Sequence, residues 1–247
     1  MIEIRHENMV KTINTKEAYD EIYASSGIQL KDSFYLWILN LLKISSNTNF
    51  LDVSCGYGRL VHFVNRKTKK VFGIDFSETA VKIAASLYPP IEFNLGDGEF
   101  LPYKSNTFDI VTNIGSIEHF QNPGKGIQEI SRILKYDGLA CILVPNGYSL
   151  LGNIKHVMMK GDIFDDGQPL QRYNTKNGWK RLLEQNGLIP IKVIAYERPF
   201  PRTWRDFIWY LYHPFKLTHM LVGYLIPKNL TNCFVYLCEK YHNEENN

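Results

Sequence analysis

The chain has 247 residues, 45% hydrophobic and 21% charged, with a formal net charge of +3. This length supports a sizeable core in one α/β domain with additions, and the composition excludes fibrous and disordered classes. The small charge gives no case for a nucleic-acid surface, because the densest basic run, residues 66–70, reads as a solvated helix end and loop.

Residues 1–13 show no clear period, and a mobile arm is expected there. No apolar leader follows the first charges, which points to a cytoplasmic protein, and no apolar run is long enough to span a bilayer. Residues 15–23 read as a short helix. A stronger one covers 31–44, with Phe34, Ile38, Leu41 and Leu42 in a stripe and Trp37 beside it. Residues 1–45 thus form a helical cap ahead of a domain at 46–247.

Residues 50–58, FLDVSCGYG, are the organising stretch. Phe50, Leu51 and Val53 suit a buried parallel strand, and a helical pattern follows over 59–66. Between them Gly56 and Gly58 lack a Cβ, so backbone can approach a ligand closely beside the free N–H groups of a helix start. A second strand, 71–75, ends in Asp75, about twenty residues past the turn, the spacing at which an acid reaches ribose hydroxyls.

Ser77 caps the next helix, and Pro89 and Pro90 stop it. The third strand, 91–95, ends in the turn Gly96-Asp97-Gly98. The fourth is 108–114. Asn122 and Pro123 then open a helix with Ile127, Ile130, Ile133 and Leu134 on its apolar face, and 139–144 is the fifth strand. Strands alternating with helices imply right-handed crossovers and a parallel sheet that binds its ligand at the carboxyl edge. Asp52 to Gly58, Asp75, Asp97 and Asn113 all fall on that edge, and their convergence favours a site over ordinary polar turns.

The connection 150–172 is long enough to be functional. A capped helix at 175–186, a strand at 188–196 and a last strand at 232–238 complete the chain. The four cysteines, Cys55, Cys141, Cys233 and Cys238, lie in or beside apolar runs without metal-ligand spacing, so reduced core thiols and no metal are expected. A stretch at about 199–229, between the last two strands, mixes Trp204, Phe207, Trp209 and Phe215 with Arg202, Arg205 and Lys216. It reads either as one extra helix packing its rings on the domain, or as a lid or lipid-facing element giving peripheral membrane contact through about 200–228.

LDVSCGYG resembles the LDxGCGxG signature of the class I S-adenosylmethionine (SAM) methyltransferases, with Ser54 where the family's first glycine sits. GIDFSETAV, GDGEFLPY, FDIVTNIGSIEHF and EISRILKYDGLACILVPN are similar to its later blocks, so the resemblance covers about 50–146. It implies a seven-stranded, mostly parallel Rossmann-like sheet with helices on both faces and an antiparallel last strand. It implies SAM as cofactor. The glycine turn, Ser54, Cys55, Gly56 and Gly58, would serve the methionine end, with Asp52 ordering the turn and the amino group's surroundings, Asp75 the ribose, Phe76 the adenine face, Asp97 and Gly98 the adenine edge, and Asn113, Ile114 and Gly115 the methionine flank.

Family members place N-terminal helices over the cofactor, so Tyr19 and Tyr23 either line the pocket or pack as core residues with their hydroxyls at the surface. His119 is the base candidate, because imidazole titrates near neutrality and the residue follows the fourth strand; Glu118 is the alternative. No Asn/Asp-Pro-Pro-aromatic motif follows that strand, which disfavours a nucleic-acid base. The expected acceptor is a small molecule, a glycan or a lipid-linked compound, methylated on oxygen. A nicotinamide-dependent oxidoreductase is weakened by the missing third glycine near Val61. A catalytically silent SAM-binding module also stays open.

Overall fold

The computed structural model describes residues 1–6, 15–25, 27–198 and 200–241. The main sheet contains β2 (Phe50–Val53), β3 (Val71–Asp75), β4 (Glu92–Leu95), β5 (Phe108–Ile114), β6 (Leu134–Pro145), β8 (Leu188–Tyr196) and β9 (Cys233–Lys240). Its order is β4-β3-β2-β5-β6-β9-β8. All neighbours pair parallel except β9, which runs antiparallel to both β6 and β8, so the last strand is slotted inside the edge.

Helices cover both faces because the strands alternate apolar residues to both sides. Phe50, Ile110, Cys141 and Val235 pack with α2 (Asp32–Leu41) and α3 (Arg59–Val64). Leu51, Val111, Ile142 and Tyr236 pack with α5 (Pro123–Ile133) and α7 (Lys176–Gln185). Ile127, Ile130 and Ile133 of α5 are 0% exposed, and each such burial contributes about 1.5–3 kcal/mol. The anticipated caps form: Ser77 accepts from the Ala80 N–H at the start of α4 (Glu78–Leu87), and Asn122 from the Lys125 N–H.

Three features depart from the sequence reading. Of the expected mobile arm, residues 2–5 form β1 (Ile2–Arg5), paired antiparallel with β7 (Leu170–Tyr173); residues 7–13 lie outside the described residues. The IEIR run is too short to declare itself as a strand, and its partner lies far along the chain. The connection 150–172 holds a π turn (Leu150–Ile154) and α6 (Lys155–Lys160) as well as β7. The insertion before β9 forms two helices, α8 (Trp204–Leu211) and α9 (Pro214–Gly223), because Pro214 after His213 ends one and starts the next.

The first helix, α1 (Thr15–Ser25), lies over the carboxyl edge. All four cysteines are free. No helix among the described residues is long and apolar enough to cross a membrane.

Candidate functional site

A cavity of about 550 Å³ opens at the carboxyl ends of β2 to β5 beneath α1. Its floor is the turn after β2. Ser54, Gly56 and Gly58 there all take left-handed φ, at 60°, 51° and 71°. For Ser54 the left-handed region costs roughly 1–2 kcal/mol, which explains why the resembling signature carries glycine at this position. A Cβ on Gly56 would stand 2.9 Å from the Tyr23 hydroxyl, so α1 closes directly over bare turn backbone.

Asp75 braces the turn from the neighbouring strand. Its Oδ2 accepts the Gly56 N–H at 2.8 Å and its Oδ1 the Ser77 N–H at 2.9 Å. Burial pushes its carboxyl up to about 6, against these hydrogen bonds, which favour the charged form. Asp52, one strand away, accepts from Thr112 Oγ1 at 2.6 Å. Burial pushes it up to about 7, with the nearby Asp75 charge adding to the rise.

Two buried acids on one cavity wall create a field that favours a cation. A bare backbone turn, an acid and the half-buried Phe76 ring supply a hydroxyl-binding edge and a flat apolar face in addition. These residues therefore fit SAM, which joins a sulfonium and an ammonium to a ribose and an adenine. Phe76 packs edge-on to Tyr19 with ring centroids 5.1 Å apart.

The other expected residues divide into wall and backing. Ser54, Cys55, Asp97, Gly98, Ile114, Gly115 and His119 line the cavity. Asp97 is an exposed rim residue, whose Oδ1 accepts the Glu99 N–H at 2.8 Å. Gly58 and Asn113 stand behind the wall. Gly58 starts α3 and abuts Phe93, whose ring a Cβ would meet at 2.5 Å. Asn113 donates from Nδ2 to the Val53 carbonyl and accepts the Ile117 N–H, tying the β5 exit to the end of β2.

His119 sits in a short 3-10 turn (Ile117–His119) after β5. Its Nδ1 lies 2.5 Å from the Leu170 carbonyl oxygen, which has only lone pairs, so Nδ1 carries the proton and Nε2 is left as an acceptor. Burial holds its pKa below the usual histidine value. Glu118 lies alongside, its Oε1 3.9 Å from His119 Nε2. Burial pushes Glu118 up to about 8, so at neutral pH both groups are uncharged and their contact is not an ion pair. Glu118 Oε2 is buried without a hydrogen-bond partner.

Sequence reasoning missed what holds this turn. Arg172, on β7 and 4% exposed, donates to the Phe120 carbonyl and, at 3.2 Å, to that of Gln121, while its Nε pairs with Glu3 on β1 at 2.7 Å. No local motif marks an arginine that binds carbonyls brought from elsewhere in the chain. Both readings for the α1 tyrosines hold in part: Tyr19 and Tyr23 pack as core residues in a buried cluster with Ala80 and also border the cavity, with the Tyr19 hydroxyl turned inward. The Tyr19 hydroxyl donates to Gln168 Oε1 at 3.0 Å, so the 150–172 connection joins the roof.

Residues 51–142 match the family described as "Methyltransferase domain". The chain is 37% identical over 90 residues to human "Arginine-hydroxylase NDUFAF5, mitochondrial", covering 36% of this chain and 26% of that protein. It is 38% identical over 92 residues to "Norajmaline N-methyltransferase" of Rauvolfia serpentina, covering 34% and 32%. The chain thus spans about a quarter to a third of the length of these curated relatives. Among solved structures, the "[4+2]-Cyclase SpnF" aligns with a TM-score of 0.65 at 18% identity, over 93% of this chain and 97% of that one.

Proposed function

We propose that this chain, whose residues 51–142 match a methyltransferase-domain family, is a class I SAM-dependent methyltransferase that transfers a methyl group to the hydroxyl of a small-molecule, glycan or lipid-linked acceptor. The observation that carries the reading is the meeting of the glycine turn, Asp52, Asp75, Phe76 and Gly115 around one cavity. When bound, SAM supplies a methyl carbon already activated by positive sulfur, so the protein's main tasks are alignment and proton removal.

On this reading each task falls to particular residues. Asp75 would accept from the ribose hydroxyls while its contacts with Gly56 and Ser77 hold the turn. Asp52 and Asp75 together would attract the cationic end, and Phe76 would cover the adenine. The Leu170 carbonyl fixes the His119 tautomer, and burial keeps the ring neutral, so Nε2 is ready to take the acceptor's proton at neutral pH. Arg172 keeps the turn carrying His119 in place through the carbonyls on either side.

A second reading, SAM binding without methyl transfer, is supported by the hydroxylase and cyclase names among proteins sharing this sequence or fold. Calorimetry with SAM and with NAD, followed by release of S-adenosylhomocysteine in extract fractions supplied with labelled SAM, separates the readings. Binding of SAM alone with product release supports methyl transfer. Binding with no product in any fraction supports the second reading, and heat with NAD but not SAM overturns both.

A further inference from the structure

The insertion between β8 and β9 presents its helices with apolar residues outward. On α8 the buried positions are Asp206 and Tyr210, one helical turn apart, while Trp204, Phe207 and Leu211 face water. The inner face is held by polar contacts: Asp206 Oδ2 accepts from the Ser33 N–H at 2.8 Å and the Ser33 hydroxyl at 2.5 Å. On α9 only Met220 and Gly223 are buried. Around them Phe215 is 90% exposed, Leu225 83%, Tyr212 80% and Trp204 74%. A soluble amphipathic helix buries its rings and shows its acids. Here α8 buries its one acid while Trp204 and Phe207 face water, α9 buries only Met220 and Gly223, and such a run of large exposed apolar groups marks an interaction surface.

Charge identifies the partner. Residues 200–228 carry four Lys or Arg and one Asp, a net of +3 that equals the net charge of the whole chain. The one acid, Asp206, is buried, whereas Arg202, Arg205, Lys216 and Lys228 are exposed. Docking this face on a second copy would set cations against cations. An anionic bilayer instead accepts the rings at its headgroup level and the cations at its phosphates.

The face also adjoins the site. A groove of about 760 Å³, lined by Lys31, Asp32, Arg59, Arg205, Trp209 and His213, separates α8 from the main domain, and Leu30 borders both this groove and the cavity beneath α1. Lys31 Nζ sits 3.2 Å from the Trp209 ring centroid. We infer that α8 and α9 form a docking face for anionic phospholipid bilayers, which sets the groove leading toward the cavity against the membrane surface.

The test needs neither SAM nor an acceptor, so its failure is distinct from failure of the methyltransferase reading. The full chain is sedimented with vesicles of phosphatidylcholine alone or of phosphatidylcholine with phosphatidylglycerol. Binding to the anionic vesicles that weakens with added salt is expected. Trp204→Ala with Phe215→Ala should lower the partition roughly tenfold or more. Arg205→Glu with Lys216→Glu should remove most of the preference for phosphatidylglycerol, at about fivefold per cation.

Thermal melts and sedimentation velocity accompany both variants. Absent vesicle binding, or binding unchanged by either variant, overturns the inference. So does a dimer that the ring variant disperses, which would make the face an interface between copies. A clear fall in melting temperature on removing Trp204 and Phe215 would assign the rings to the core and overturn it too.

Discussion

At the carboxyl edge of the sheet, Asp52, Asp75, Glu118 and His119 are ionisable groups taken out of water, whereas along α8 and α9 Trp204, Phe215 and Leu225 are apolar groups left in it. Folding alone favours the opposite placement in both regions. The buried acids keep raised proton affinities because burial outweighs the hydrogen bonds that favour their charged forms, and the rings stay wet because the inner faces of their helices are committed to contacts such as Asp206 with Ser33. Residues that work against local stability in a well-packed protein mark where it meets something else. On the two proposals above, the first region meets a small cation and the second an anionic bilayer.

The widest gap between the two regions lies in turnover. His119→Ala is expected to lower the rate by about 10²- to 10⁴-fold with SAM affinity changed only a few fold, as measured by S-adenosylhomocysteine release and calorimetry. Unchanged turnover would shift proton removal to Glu118 or to alignment alone. Asp75→Asn removes the charge behind the ribose contacts, each worth about 1.5–3 kcal/mol, so SAM affinity should fall roughly ten- to a hundredfold while the melt stays cooperative. Parent-like affinity would break the ribose assignment.

The pH dependence of binding sharpens the comparison further. SAM carries one more positive charge than S-adenosylhomocysteine. Asp52 is raised to about 7 and Asp75 to about 6, so both gain charge as pH rises from about 5 to 8. SAM affinity should therefore climb over that interval, by up to about tenfold for each pKa unit that the cation lowers, while product affinity changes less. Equal slopes for the two ligands would remove the acids from cation recognition.

Without ligand, the same raised values act on stability. Folded Asp52, Asp75 and Glu118 hold protons that the unfolded chain releases near pH 4, so their stabilising contribution is complete below that pH and is lost as pH rises through about 6 to 8. The apoprotein melt should fall across this range, and Glu118→Gln should flatten its upper part. The smallest expected effect is at Ser54. Replacement by glycine relieves the left-handed backbone but adds unfolded-state entropy, for a net gain of about 0.5–1 kcal/mol, read as a rise of a few degrees in melting temperature.

Most of the sheet was legible because its strands announce themselves locally: β3, β5 and β8 occupy the expected residues, and the Ser77 and Asn122 caps stand where their side-chain chemistry placed them. The cavity wall was legible for the same reason, since strand ends at one edge converge whatever the loops do. What stayed hidden depends on contacts between distant residues. β1 exists through its pairing with β7, Arg172 acts on carbonyls delivered by another loop, and Gln168 meets Tyr19 across the cavity. Gly58 and Asn113 show a further feature that no motif carries: both follow the expected pattern, and packing presses one on Phe93 and turns the other toward Val53. The spacing of a motif fixes which residues reach an edge, and packing decides which of them face the ligand.

The roof over the cavity has a kinetic consequence. α1 buries only Ala18, Tyr19 and Tyr23. It is fastened by Asp20 accepting from the Ser77 hydroxyl and the Thr79 N–H, by the Tyr57 hydroxyl on the Tyr23 carbonyl, and by Tyr19 on Gln168. Such a segment opens at a lower free energy than the sheet, so its amides should exchange with deuterium before those of β2 or β5 and gain protection when SAM is held beneath them. If spent cofactor leaves only when α1 lifts, the turnover rate should track the rate at which the α1 amides exchange with product bound.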